Sequence, residues 1–198
     1  MLGERFEPCL ERAQHGDADG FAELWRDAHP MLLRYLTVSS GAEAEDLASQ
    51  TWLRVLGSLP SFEGNEPQFR RWLVTIARNL AVDGARAAGR RPELLVAELA
   101  DSQSVVAPDA GNEADDRMST RAAIALVARL PAAPAEMVML RVVMGLEVAD
   151  VAAVVGKSPG AVRVAVHRGL RALQELLRAD DPGSVTLEHP QTSLEHDA

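Results

Sequence analysis

Apolar positions return at helical spacing along most of the chain. In residues 20–36, Phe21, Leu24, Trp25, Leu32, Leu33 and Leu36 fall near one face of a helix, and Pro30 marks a break or kink. Residues 42–59 repeat the pattern with Leu47, Trp52, Leu53, Val55, Leu56 and Leu59. Pro60, Gly64 and Pro67 then interrupt it and predict a loop. A third long helix is predicted over residues 69–91, FRRWLVTIARNLAVDGARAAGRR, with Trp72, Leu73, Ile76, Leu80 and Val82 as its apolar positions. Arg71, Arg78 and Arg86 are left to project outward, with Trp72, Ile76 and Leu80 on the opposite, buried side.

The second half of the chain predicts four more helices, over residues 117–130, 135–144, 146–156 and from 158 onward. Ser158 suits an N-cap and Pro159 the first helical position, while Gly156 and Lys157 make the turn before them. Val162, Val166, Leu170, Leu173 and Leu177 read as the buried stripe of the last helix, leaving Arg163, His167, Arg168 and Arg171 outside. Two helices joined by a short glycine-containing turn, the second one basic, make a helix-turn-helix pattern. The fold class is therefore all-α, with small helical domains at 1–91 and 117–179.

Charge sharpens this division. The net charge is −9, yet residues 92–116 hold seven acids and no base, and residues 180–198 hold five acids and no base. Both segments lack sustained periodicity and predict a flexible acidic linker and a disordered acidic tail. Residues 117–179 hold nine bases against four acids, so the basic charge is concentrated on helices. Such a face is solvated by default, but forked guanidinium donors also suit phosphate oxygens.

Candidate chemistry is sparse. A single cysteine, Cys9, excludes an internal disulfide and a cysteine-cluster metal site, and reads as a small buried residue. His15, His29, His167, His189 and His196 are dispersed, with no metal-binding spacing, and no phosphate-binding glycine loop or nucleophile motif occurs. No catalytic residue, metal or cofactor is predicted. The tryptophans sit on apolar stripes and are expected in the core, although Trp52 and Trp72 could instead border a base-binding surface. No apolar run is long enough for a membrane span, and the acid-studded N-terminus has no signal core, so a cytoplasmic location is expected.

The order of three segments goes further. AEDLASQTWLRVLGSLPSFEG, FRRWLVTIARNLAVDGAR and RLPAAPAEMVMLRVVMGLEVADVAAVVGKSPGAVRVAVHRGLRAL together resemble regions 2 and 4 of bacterial sigma factors of the extracytoplasmic-function group. The resemblance covers about residues 20–91 and 120–177. It implies a non-enzymatic factor that binds core RNA polymerase (its beta and beta-prime subunits), recognises the −10 and −35 promoter elements and promotes melting. Without the region 2 pattern, the alternative is a stand-alone helix-turn-helix regulator of duplex DNA.

The resemblance implies roles residue by residue. Asp46, Leu47, Gln50 and Arg54 match the polymerase-binding part. Ser61, Phe62 and Asn65 lie in the loop that captures a flipped base. Arg71, Arg78, Asn79, Asp83 and Arg86 match the helix facing −10 DNA. Lys157, Ser158, Arg163, His167, Arg168 and Arg171 fall on the −35 reader. The family also commonly has an anti-sigma partner that masks both domains, and the long linker would let them be held as a closed pair. Departures are Gln50 where Glu is usual, Val164, Ala165 and Leu170 where DNA-facing polar groups are common, Glu147 at a usual Ser/Thr cap, and Gly84 in place of a larger residue.

Overall fold

The computed structural model describes residues 1–87, 89 and 113–180, and these form helices and turns with no strand. The linker and tail expectations fall largely outside the described residues; the helix after the linker begins at Glu113.

Four helices build the first domain: α1 Phe6–Gln14, α2 Ala18–Ser40, α3 Ala44–Ser58 and α4 Glu66–Ala87. The first of these was not apparent as a periodic segment. Asp17 starts α2, its side chain accepting from the backbone N–H of Asp19 at 2.8 Å and of Gly20 at 2.9 Å. Pro30 sits within α2 without ending it, which removes the break from the two expected outcomes, a break or a kink. Leu24, Leu32, Tyr35, Leu36, Val55, Phe69, Leu73 and Val74 fill the core. Each large apolar side chain there contributes about 1.5–3 kcal/mol.

The burial pattern of α4 corrects the predicted one. Phe69, Leu73, Val74, Ala77, Leu80 and Ala85 are buried, while Trp72 and Ile76 are only half-buried. Arg70, one of the six arginines of the segment, is buried as well, paired with Glu66 at 3.0 Å. Trp52 is in the core as expected, but Trp25 remains 39% exposed, stacked on His29 at 4.4 Å between ring centroids.

The second domain consists of α5 Glu113–Ala128, α6 Ala132–Val138, a π-helical turn at Met139–Val143, α7 Val148–Val155 and α8 Pro159–Asp180. Met137, Val138, Met139, Leu140, Met144, Leu146, Val151 and Val162 form its core. Gly156 ends α7 with φ of +66°, a left-handed conformation that glycine adopts without strain. Ser158 Oγ accepts from Ala161 N at 3.2 Å and caps α8 as expected.

The buried stripe of α8 was misplaced by the four-residue spacing. Leu170 and Leu177 are 41% and 58% exposed, whereas Gly169 is buried. Successive residues turn by about 100°, so a step of eight from Val162 drifts about 80° off its face, while a step of seven returns within about 20°. The helix–turn–helix contacts follow that second line.

The two domains pack on each other. Helix α2 lies against α5 and α6, and α4 meets α7. Buried apolar residues from both domains belong to one continuous cluster.

Candidate functional site

The loop between α3 and α4 is built tightly. Asn65 and Gln68 exchange hydrogen bonds, Asn65 N donating to Gln68 Oε1 at 2.9 Å and Gln68 N donating to Asn65 Oδ1 at 3.1 Å. This capping box starts α4, and its signal is the Asn-x-x-Gln spacing in the sequence. On the opposite side, Gln14 Nε2 donates to the carbonyls of Leu59 at 3.0 Å and Phe62 at 2.7 Å. Helix α1 thereby braces the loop, a contact across the chain that no local pattern announces.

Beside this loop lies an open cleft of about 320 Å³, lined by Ser58, Ser61, Phe62, Glu63, Gln68, Arg71 and Trp72. Phe62 stacks on Trp72 with ring centroids 4.8 Å apart and an interplanar angle of 29°. An aromatic pair, an arginine and several hydroxyl and amide groups can receive a planar polar ring by stacking and hydrogen bonding. Ser61 and Phe62 line this cleft; Asn65, whose role is the cap, does not.

Along α4, Arg71, Asn79, Asp83 and Arg86 are exposed. Arg86 lies 3.6 Å from Asp83 and is otherwise free among the described residues. Arg71 and Arg78 are not open to solvent alone. Arg71 Nη1 lies 2.8 Å from Asp150 of α7, and Arg78 Nε lies 2.8 Å from Glu136 of α6. Tyr35 Oη, fully buried, donates to the same Glu136 Oε1 at 3.3 Å. Burial works against charge on Arg78, but the hydrogen bond and charge of Glu136 outweigh it and raise its basicity. Burial, reinforced by Glu136, holds the Tyr35 hydroxyl well above its ordinary value, so it is a neutral donor.

On α3, Asp46, Gln50 and Arg54 are exposed and fall four residues apart, on one face. Leu47 is buried at 6% exposure and supports that face from within instead of lying on it. Leu53 and Leu56, expected on the apolar stripe of this helix, are 69% and 48% exposed and add an apolar component to the same helix surface.

At the other end of the molecule, Lys157, Ser158, Arg163, His167, Arg168 and Arg171 are all exposed at the start and along the outer side of α8. Arg171 lies 3.8 Å from Glu175, while Lys157, Arg163 and Arg168 have no acidic partner among the described residues. Val164 and Leu170 are exposed between them. A capped helix presenting cations from its first turns, supported by a preceding helix and a tight turn, is a geometry that fits a DNA major groove. No group of metal-ligating side chains occurs among the described residues, and no helix there is long and apolar enough to cross a membrane.

Known proteins share this arrangement. The family models for sigma-70 region 2 and sigma-70 region 4 match residues 24–91 and 120–173. The ECF RNA polymerase sigma factor BldN of Streptomyces coelicolor is 37% identical over 179 residues, covering 89% of this chain and 67% of BldN. The ECF RNA polymerase sigma factor SigD of Mycobacterium tuberculosis is 35% identical over 190 residues, covering 91% of this chain and 88% of SigD. Among solved structures, the sigma factor RpoE of Bartonella quintana, in complex with the anti-sigma factor NepR, superimposes with a TM-score of 0.57 at 26% identity over 81% of this chain and 98% of RpoE.

Proposed function

The chain belongs to the extracytoplasmic-function group of sigma-70 family RNA polymerase sigma factors, and on that footing we propose how its surfaces divide the work of initiation. A sigma factor supplies promoter recognition and melting, and the polymerase performs the chemistry. The outer face of α3, with Asp46, Gln50, Arg54, Leu53 and Leu56, docks on core polymerase. The cleft beside the α3–α4 loop receives an unpaired base of the −10 element, stacked against Phe62 and Trp72 with Ser61 and Arg71 at its edge. Asn79, Asp83 and Arg86 on α4 follow the adjoining strand, joined by Arg71 and Arg78 once these are released from the second domain. Lys157, Ser158, Arg163, His167, Arg168 and Arg171 read the −35 element.

The observation that carries this division is the cleft. It joins two stacked aromatic rings to an arginine beside a loop fixed from both ends. A stand-alone duplex reader has no need of such a receptor, because bases inside a duplex are not available for stacking. A dissociable protein partner is part of the proposal too: the RpoE relative was solved with an anti-sigma factor, and the exposed apolar residues of α3 offer a surface for one.

Run-off transcription with core polymerase, combined with mapping of start sites, tests the proposal. Discrete starts that depend on this chain and are lost in a Phe62→Ala, Trp72→Ala double variant are expected. Promoter opening unaffected by that variant would remove the cleft from the melting step.

A further inference from the structure

Two arginines of the α4 face are already holding anionic oxygens in this molecule, and both oxygens belong to the chain itself. Arg78 Nε and Tyr35 Oη converge on one atom, Glu136 Oε1, at 2.8 and 3.3 Å. These donors come from α4 and α2, two packed helices of the first domain, so the socket is built on rigid elements. Its occupant comes from α6 of the second domain. Seven residues earlier on α4, Arg71 binds Asp150 of α7 at 2.8 Å. A separation of seven is about two turns, so both arginines lie on one stripe, about 10.5 Å apart along the axis.

We infer that Arg78 and Tyr35 form a socket for a single anionic oxygen, filled by Glu136 in the free chain and by a phosphodiester oxygen of promoter DNA once the domains part. The inference rests on the assignment of the Arg78 side of α4 to −10 DNA. An Nε–H has one hydrogen, so Arg78 cannot give that donor to Glu136 and to a phosphate at once. Closure of the chain and engagement of DNA therefore compete for the same group. Asp150 adds a second internal acid on the same stripe. The helix-turn-helix domain thus masks the arginine face with its own carboxylates, without a second protein.

The distribution of exposure agrees with such a latch. Arg78 and Glu136 retain 27% and 23% side-chain exposure, at the margin of the interface, where water can replace each partner as the domains separate. Tyr35 is 1% exposed, and its hydroxyl donates to a carboxylate that comes from the second domain. Charge pairs in such positions are weakened by salt, so the closed form is held by a contact that ionic strength and competing phosphate both loosen.

The test uses the full chain. Glu136→Gln keeps the shape of the side chain and removes its charge. Small-angle X-ray scattering should show a larger radius of gyration for this variant than for wild type. Fluorescence anisotropy with a forked −10 oligonucleotide, its non-template strand unpaired, should show tighter binding, on the order of tenfold, the weight of one charge-assisted contact. The swapped pair Arg78→Glu with Glu136→Arg should close the chain again but bind the oligonucleotide poorly. Circular dichroism melting separates opening from unfolding. Identical scattering and identical binding for wild type and Glu136→Gln would overturn the latch. Failure of the underlying assignment reads differently: Glu136→Gln would open the chain, yet Arg78→Ala in the holoenzyme would melt the promoter as wild type does, leaving Glu136 as a closure contact and removing phosphate as the second occupant.

Discussion

Gly169 of α8 faces Val138 of α6 so closely that a Cβ on the glycine would sit 2.8 Å from Val138 Cγ2. Leu130 and Pro134 flank the same point at 3.6 Å. Val138 is buried and β-branched, so its χ1 has little freedom to give way. This close approach sets how α8 is carried by the rest of the helix-turn-helix domain.

The first prediction follows from that contact. Gly169→Ala adds a methyl group that the packing cannot take, at a cost of about 1–3 kcal/mol, partly offset by the better helix propensity of alanine, about 1 kcal/mol. A net loss of stability is expected. Gly84→Ala, with nothing within 4 Å of the added atom, should instead gain about 0.5–1 kcal/mol. Thermal melting of both variants checks the pair. Equal shifts in one direction would mean that the α6–α8 approach is looser than the structure has it.

The second prediction separates core from cleft on α4. Phe69 is 2% exposed and packs on Phe6, Phe62 and Trp72. Phe69→Ala should cost about 3–5 kcal/mol. Trp72 is only half-buried, so Trp72→Ala should cost less, near about 2–3 kcal/mol, yet remove promoter opening because the ring lines the cleft. Urea unfolding gives the first quantity, and permanganate reactivity of unpaired thymines gives the second. Full opening by a folded Trp72→Ala variant would exclude the ring from base capture.

How far the sequence carried is plain from these same residues. Helix positions and the Gly156–Ser158 turn were legible because they depend on neighbours within four residues. The face of α8 was not, because a leucine repeat at spacing four drifts around the helix and Gly169, with no side chain, leaves no apolar signal. The cleft beside the α3–α4 loop was half legible: the loop was visible as breakers, but its brace by Gln14 crosses 45 and 48 positions. The pairing of Arg78 with Glu136 spans 58 positions and depends on domain packing, which periodicity does not encode.

The third prediction concerns acid. Burial holds the His29 imidazole below its ordinary value of about 6.5, partly offset by Glu45. Its Nδ1 faces Trp52 Nε1 at 3.2 Å, and the indole is a donor only, so the bond requires an unprotonated Nδ1. The unfolded chain takes up the proton more readily than the folded one. Stability from this site is therefore complete above the ordinary histidine range and is lost as pH falls below it. Urea midpoints should fall between about pH 7.5 and pH 5.5, and His29→Gln should flatten the slope. An unchanged slope in the variant would assign the loss to other groups.

The fourth prediction addresses the helix proposed to read the −35 element. Arg163 and Arg168 are exposed on α8 and free of acidic partners among the described residues, with Arg163 in the part of the helix nearest its N-terminus. Each alanine substitution should weaken −35-dependent transcription, by about 1–3 kcal/mol where the lost contact is a bidentate base contact. Nuclease footprints of the holoenzyme report it. Protection of the −35 element that is unchanged in both variants would take these arginines off the DNA surface.

The last prediction returns to the end of α4. Arg86 is 72% exposed, and its one acidic neighbour among the described residues is Asp83 at 3.6 Å, itself 67% exposed. A pair so open to water adds little to stability, about 0–1 kcal/mol, so Arg86→Ala should fold and melt as wild type does. It should also bind core polymerase normally, because the docking face assigned to α3 is on another helix. What it should lose is promoter opening, since a guanidinium free of the second domain is available to phosphate from the outset, unlike Arg78. Loss of opening should ease as salt falls, because phosphate contacts strengthen at low ionic strength. Permanganate reactivity at several salt concentrations reads this directly. An Arg86→Ala variant that opens promoters at wild-type level across that range would make the arginine an ordinary solvated residue and confine strand contact to the cleft and the Arg71–Arg78 stripe.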